Sequence, residues 1–325
     1  MRRVICQVRQ RFGIVGVMMR KLFFKGLLFC IIILSVAAGF IYSSTKEPTR
    51  SAIARWTNSE DFMAGSGMLS YFARAKEANG STMLIIGDSI ANQLFSGLQA
   101  NNPKTDILTT NAALMITGQY LLAGEYIKSH PDATDIFLVI HPLPLTRTFD
   151  TEWGYRYAAM TYVETDTIGY LDENTIDAMA GVYGTLFMKK NIVNLIENSP
   201  VCRKLYLSYI DINREDYIQE SPFEIADQYV KKLYDLCLEN QVELHVYSSP
   251  VSEYFKDQVM ELSEEYENTW MSTKYPDYFD QIMFYPDAWS EDLSHFAGEY
   301  AERGRLNEII IQAYGQTALS QLHFE

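Results

Sequence analysis

Cysteine is scarce in this chain. Four occur in 325 residues, Cys6, Cys30, Cys202 and Cys237, and no spacing among them resembles a zinc site. Cys6 and Cys30 fall in the N-terminal arm and the apolar run that follows it. An oxidising compartment permits either a disulfide between Cys202 and Cys237 or two unpaired buried thiols. Basic charge is outnumbered beyond the first 25 residues, where the 27 Lys and Arg less seven leave 20 to face 41 Asp and Glu. Arg2, Arg3, Arg9, Arg11, Arg20, Lys21 and Lys25 precede the first acid, Glu47, so the formal charge of -14 less their +7 leaves -21 on the rest. So acidic a body excludes nonspecific nucleic-acid binding, which needs a basic surface. Internal repeats and low-complexity tracts are also absent. The 48% apolar content, with 22 Tyr and 17 Phe, excludes a disordered or collagen-like chain. It suffices for one domain of roughly 270 residues beside a membrane or linker segment.

What is present begins with an apolar run. Gly26 to Tyr42 is uncharged over 17 residues. Leu22 to Phe24, with Lys25 snorkelling, extend it to about the 20 residues that a bilayer span needs. The positive flank predicts a basic cytoplasmic arm over 1–21, a transmembrane signal anchor over 22–42 and the body outside. A cleaved signal peptide is the alternative, because Val36 to Gly39 offers small residues.

Residues 43–80 read as a tether and a lead-in helix, and 81–325 as the domain. Strands are expected at Thr82–Ile86, Thr105–Thr110, Asp135–His141 and Val242–Ser248, with a short fifth at Asp280–Phe284, the third of them apolar on both faces. Helical periodicity separates them at Ile90–Gln99, Thr117–His130, Pro222–Asn240 and Ser252–Ser272, and closes the chain at Ala297–Gln316. Ser221 reads as the N-cap of the Pro222 helix, with Glu224 three residues on. A Tyr-rich insertion at about 145–220 holds one or two helices around 174–198, as a lid core or a glycan platform. Continuously apolar strands alternating with helices predict an α/β fold whose parallel sheet is covered on both faces.

Two polar motifs interrupt this pattern. Gly87-Asp88-Ser89 stops the first strand, at the strand end where sites of open α/β sheets collect. Asp292-Leu-Ser-His295 lies just before the last helix. An Asp three residues before a His can orient its imidazole, and that imidazole can take the proton from a serine hydroxyl. Other readings stand beside these. Asp88 can simply cap the helix after it, and Ser89 and His295 can be an N-cap and a satisfied histidine. His141, before a proline, can be structural, as can His130, His245 and His323. Trp289 can stack on a sugar ring or pack in the core. The acids Glu261, Glu264, Glu265 and Glu267 read as a solvated helix face.

With these two motifs in this order, the chain resembles the SGNH (GDSL-type) hydrolase superfamily across roughly residues 81 to 315. The resemblance implies a flavodoxin-like three-layer fold. It also implies Ser89 as nucleophile, His295 as general base and Asp292 as its orienting partner, with the Ser89 N–H as one oxyanion donor and no metal or organic cofactor. The middle of the family pattern departs. Where a Gly follows the second strand, this chain offers Asn111 and a displaced Gly118. Where Gly-x-Asn-Asp follows the third strand, it reads His141-Pro-Leu-Pro144. Asn111 and His141 are the substitutes for the missing Asn donor, and Asp88 and Trp289 are candidate substrate contacts. The anchor and the exported body are similar to the membrane-anchored SGNH-like proteins of surface-polymer acylation, the D-alanyl-transfer and alginate O-acetylation types. That likeness implies an esterase or O-acyltransferase for an acylated glycan or envelope polymer, working with a membrane-bound O-acyltransferase. A degenerate module that binds glycan or such a partner is the competing expectation.

Overall fold

The computed structural model describes residues 2–57, 67–151, 153–213 and 216–323. Its helices and strands follow in chain order. They begin with α1 (Arg2–Ser44), α2 (Thr49–Thr57) and α3 (Gly67–Ala75). Next come β1 (Met83–Gly87), α4 (Ser89–Phe95), β2 (Thr105–Ile107), α5 (Met115–Ser129) and β3 (Asp135–Val139). A helical stretch follows: α6 (Pro142–Leu145), α7 (Met160–Glu164), α8 (Glu173–Tyr183), α9 (Lys190–Asn198), α10 (Pro200–Asn213) and α11 (Glu224–Glu239). The chain closes with β4 (Glu243–Tyr247), β5 (Val251–Ser252), α12 (Lys256–Tyr266), α13 (Trp270–Lys274), β6 (Phe284–Tyr285) and α14 (Arg303–Tyr314).

The chain divides into two compact units. One comprises Met1–Asp61 with Asn194–Tyr209, and the other Phe62–Val193 with Ile210–Glu325. In the first, Leu22–Ser44 forms 23 residues of α1 with a mean hydropathy of 2.4, long and apolar enough to cross a membrane. Its large side chains, Phe23 and Leu34 among them, are exposed rather than packed, so it is no core helix. It suits a membrane anchor or a signal sequence. At its end, the buried Ser44 hydroxyl meets that of Ser199 at 2.7 Å.

The second unit is built on a four-stranded, all-parallel sheet in the order β2-β1-β3-β4. Alternation sends Ile85, Ile107, Phe137 and Val139 to one face. There they pack with Ile90, Leu94 and Phe95 of α4 and with Leu306, Ile309, Ile310 and Tyr314 of α14. Leu84, Ile86, Ile136 and Leu138 are buried on the other face, where α5 packs against β1, α3 and α11. Each fully buried Leu, Ile or Phe contributes roughly 1.5–3 kcal/mol, so both faces of the sheet add to its stability.

Several expectations need correction. The predicted fifth strand does not join the main sheet: Phe284 and Tyr285 pair in parallel with Val251 and Ser252 in a separate two-stranded sheet. Ser221 is not the cap of α11. Phe223 occupies that position, and the Glu224 carboxylate turns back to accept from the Glu220 N–H at 2.7 Å. The single acidic helix is split, with α12 ending at Tyr266 and α13 capped anew by Thr269. The insertion holds more helix than expected, with α9 and α10 following α8, because Pro200 restarts a helix instead of ending one. Cys202 and Cys237 are both free thiols. Burial pushes the Cys237 thiol up to about 12.

Candidate active site

The strand order reverses between β1 and β3, since β2 lies on one side of β1 and β3 on the other. In an open α/β sheet that switch point leaves a crevice beyond the strand carboxyl ends. Gly87 closes β1 there. A Cβ at Gly87 would lie 1.9 Å from the Val139 carbonyl oxygen, so only glycine lets β3 approach so closely.

Asp88 sits at the next position, buried, and its carboxylate accepts from four donors. Oδ1 accepts from the Ile90 and Ala91 N–H groups at 2.9 and 3.0 Å and so caps α4. Oδ2 accepts from the His141 N–H at 2.6 Å. The Ser249 hydroxyl donates to the carboxylate as well, at 3.2 Å to Oδ1. Burial raises the Asp88 pKa above the ordinary carboxylate value, with the backbone donors and Ser249 pulling against it. Asp88 is therefore a strut that ties the ends of β1, β3 and β4 together, as its helix-cap reading implies, and it also lines the cavity around Ser89. Ser249 is a member that the sequence did not flag.

Ser89 is the first residue of α4. Its Oγ lies 2.8 Å from His295 Nε2, and His295 Nδ1 lies 2.7 Å from Asp292 Oδ2. A carboxylate only accepts, so Nδ1 carries the ring proton and Nε2 accepts from the serine hydroxyl. Asp292 Oδ1 also accepts from the Ser294 and His295 N–H groups at 3.0 and 2.7 Å. Desolvation opposes its ionisation, but these amides and the His295 ring outweigh it and hold Asp292 at about 2. The turn between them places Leu293 at φ 63°, a left-handed conformation that costs a β-carbon-bearing residue roughly 1–2 kcal/mol.

The loop that carries this turn is closed at its base. Ser290 and Phe296 form an antiparallel bridge, and the Tyr285 hydroxyl donates to the Ser294 carbonyl at 2.9 Å. Gln93 of α4 grips the same loop: Nε2 donates to the Phe296 carbonyl at 2.6 Å, and Oε1 accepts from the Phe296 N–H at 2.8 Å. Gln93 was missed in the sequence. Its one signal is the spacing of four residues from Ser89, which puts both on one face of α4.

Ser89 and His295 line a cavity of about 150 Å³ with Asp88, Ile90, Ala112, His141, Leu143, Pro144 and Ser294. Three other candidates are not brought into it. Asn111 turns its Oδ1 back to the Ala113 N–H at 2.8 Å and caps a short 3-10 turn. Gly118 lies inside α5, where a Cβ would meet Leu114 at 2.4 Å and the Tyr162 hydroxyl at 2.8 Å, so it is a packing glycine. Trp289 stacks between Tyr285 and Tyr300, at 6.2 and 4.7 Å, and packs on the core. His141 does line the cavity.

A larger cavity of about 690 Å³ lies elsewhere, lined by Tyr234, Tyr275, Tyr278 and the strand β4. It holds none of the candidate nucleophile or base residues. At the other, amino-terminal ends of the strands, Asp135, Glu243 and His245 bring ligand-type atoms within 4.8 Å of one another. There His245 Nε2 and Asp135 Oδ1 already hydrogen-bond at 2.9 Å. No family model, curated protein or solved structure matches the chain.

Proposed function

We propose that the protein is a membrane-anchored, exported serine esterase or O-acyltransferase of SGNH type, acting on an acylated glycan or cell-envelope polymer. One observation carries the reading: the unbroken chain from Ser89 Oγ to His295 Nε2 at 2.8 Å and from His295 Nδ1 to Asp292 at 2.7 Å. The parallel sheet in the order 2-1-3-4, with the serine at its switch point, supports the flavodoxin-like arrangement that goes with that family.

In this reading Ser89 Oγ attacks the ester carbonyl carbon as His295 Nε2 takes its proton. The carbonyl electron pair moves onto oxygen. Collapse of that tetrahedral species breaks the bond to the alkoxy group, which leaves with the proton from His295, and an acyl-Ser89 remains. Water or a glycan hydroxyl then gives its proton to His295, attacks the acyl carbon and frees Ser89. Asp292 holds the ring and stabilises its cation. A cavity of about 150 Å³ suits a short acyl group. The basic flank of the apolar helix supports an inside N-terminus and an outside body.

A second reading is favoured by the placement of Asn111 and Gly118 outside the cavity: a degenerate SGNH-like module that binds glycan or a membrane-bound O-acyltransferase. The test is a fluorophosphonate probe on the full chain in detergent, with turnover of short-chain acyl esters. Labelling and turnover in wild type, both lost in Ser89→Ala and His295→Ala, support the enzyme. A wild type that is neither labelled nor active leaves the binding module.

A further inference from the structure

The site needs a group to receive the negative charge that develops on the carbonyl oxygen, and the side-chain amide expected there is missing. The residue in its place is His141, and three features of its setting bear on what it does. First, its backbone is fixed: the His141 N–H donates to Asp88 Oδ2 at 2.6 Å, so the residue is bolted to the one that precedes Ser89. Secondly, its tautomer is fixed. The Leu143 N–H donates to His141 Nδ1 at 3.2 Å. A nitrogen that accepts carries no proton, so in the neutral ring the proton sits on Nε2. Thirdly, the ring is buried and walls the same cavity as Ser89 and His295.

Among the described residues the ring's one hydrogen bond is that to the Leu143 N–H. Nε2–H is thus a donor with no protein acceptor, on a ring that walls a cavity whose other polar residues are Ser89, His295, Ser294 and Asp88. Desolvation lowers the His141 pKa to about 4. The ring therefore stays uncharged at neutral pH and competes with His295 neither for the serine proton nor for Asp292. A donor already fixed in place before the charge develops is worth more than water, which must reorganise around it.

We infer that His141 is a catalytic residue, the oxyanion donor that stands in for the missing amide, its Nε2–H hydrogen-bonding the charged oxygen of the tetrahedral species. It rests on the serine-hydrolase reading above. In the step, the Ser89 Oγ–carbon bond forms, the carbonyl π pair moves to oxygen, and the serine proton goes to His295. His141 keeps its proton throughout and donates only the hydrogen bond. It belongs to the stem of α6, whose first residue is Pro142, so the donor is set by strand β3 and the proline and not by a mobile loop.

The test uses the full chain in detergent and p-nitrophenyl acetate. His141→Ser keeps an N-cap oxygen for the Leu143 N–H but has no donor that reaches the cavity. It is expected to lower kcat by about 10²- to 10³-fold with KM within about threefold, the loss seen when one such donor is removed. The pH midpoint of kcat is expected to stay in place, because the general base is untouched. Affinity for a trifluoromethyl ketone, which adds to the serine as a tetrahedral mimic, is expected to fall in parallel. A kcat within threefold of wild type overturns the assignment.

If His141→Ser fails to fold, 15N-histidine spectra of wild type with the ketone decide instead. A hydrogen-bonded, slowly exchanging Nε2–H on His141 that appears only in the adduct supports the role, and an unchanged signal overturns it. The two proposals fail differently. Wild-type turnover that Ser89→Ala abolishes and His141→Ser leaves alone overturns only the donor. A wild type with neither turnover nor adduct overturns both.

Discussion

Gln93 holds Phe296 by both backbone atoms, donating to its carbonyl at 2.6 Å and accepting from its N–H at 2.8 Å. One end of this clamp belongs to the helix that presents Ser89, and the other to the residue after His295. The serine–imidazole distance is therefore held in part by a side chain with no role in the proposed reaction. Gln93→Ala deletes two hydrogen bonds worth about 1 kcal/mol each. Roughly a tenfold fall in kcat and a loss of about 2 kcal/mol in a urea melt are expected, with probe labelling of Ser89 slowed and not abolished. Gln93→Glu, which cannot donate to the Phe296 carbonyl, is expected to be worse than Gln93→Asn.

Asp88 yields a stability prediction of a different size. Asp88→Ala leaves the N–H groups of Ile90, Ala91 and His141 without their acceptor, two at a helix start and one at a strand end. Each buried orphan costs about 1–3 kcal/mol, so a loss on the order of 4 kcal/mol is expected, enough to unfold a marginal domain. Asp88→Asn keeps one carbonyl oxygen and is expected to lose about half as much. Urea midpoints of the two variants check this. Equal melts for Asp88→Ala and wild type would remove the strut from the account.

In the proposed reaction, Ser89, His295 and Asp292 are expected to rank by how directly they touch the reacting atoms. Ser89→Ala and His295→Ala each remove an atom that forms or carries a bond in the reaction. Asp292→Asn keeps the shape but weakens the hold on the Nδ1–H. In serine-protease systems such a change lowers kcat by about 10⁴, less than loss of the serine or histidine. Asp292 lies at the surface with its side chain 56% exposed, so a smaller fall, about 10³, is expected here. Its folded pKa of about 2 is below the ordinary 3.8. The stabilising link to His295 is thus complete above pH 3.8 and is lost as the pH falls towards 2. A carboxyl titration of Asp292 by 13C shift, with a midpoint below that of an ordinary aspartate, checks it.

Much of this is legible in the sequence. The two central strands could be read because Leu84 to Ile86 and Ile136 to Ile140 form continuous apolar runs, which only a sheet covered on both faces buries. Ser89 and His295 could be paired because each stands at an element boundary with a polar partner of set spacing. What could not be read depends on tertiary approach. Gln93 looks like an ordinary helix residue until Phe296 is placed beside it. Ser249 becomes part of the site only when β4 lies next to β3. Gly118 is chemically a plausible oxyanion donor, and only the nearness of Leu114 and Tyr162 makes it a packing residue. Trp289 beside Asp292 is adjacent in sequence, but its ring turns to Tyr285 and Tyr300 and not to the cavity.

His141 gives the last prediction, a dependence of stability on acid. Its pKa falls from 6.5 to about 4 on folding, because burial penalises the charged ring. Between those values the unfolded chain binds a proton there and the folded chain does not. Stability is therefore full above pH 6.5, falls as the pH drops towards 4, and levels off below it. A shift of this size corresponds to roughly 3 kcal/mol. The titratable neighbour is Asp88, whose raised pKa acts in the opposite sense: a carboxyl that protonates more readily when folded adds stability as the pH falls. The two contributions are separated by difference. His141→Ser keeps the Asp88 contribution and removes the imidazole, so its urea-derived stability is expected to fall less between pH 7 and pH 4.5 than that of wild type, by about 2.4 kcal/mol. Parallel curves for the two proteins would mean that the ring protonates freely in the fold, and hence that it is not enclosed at the wall of the site.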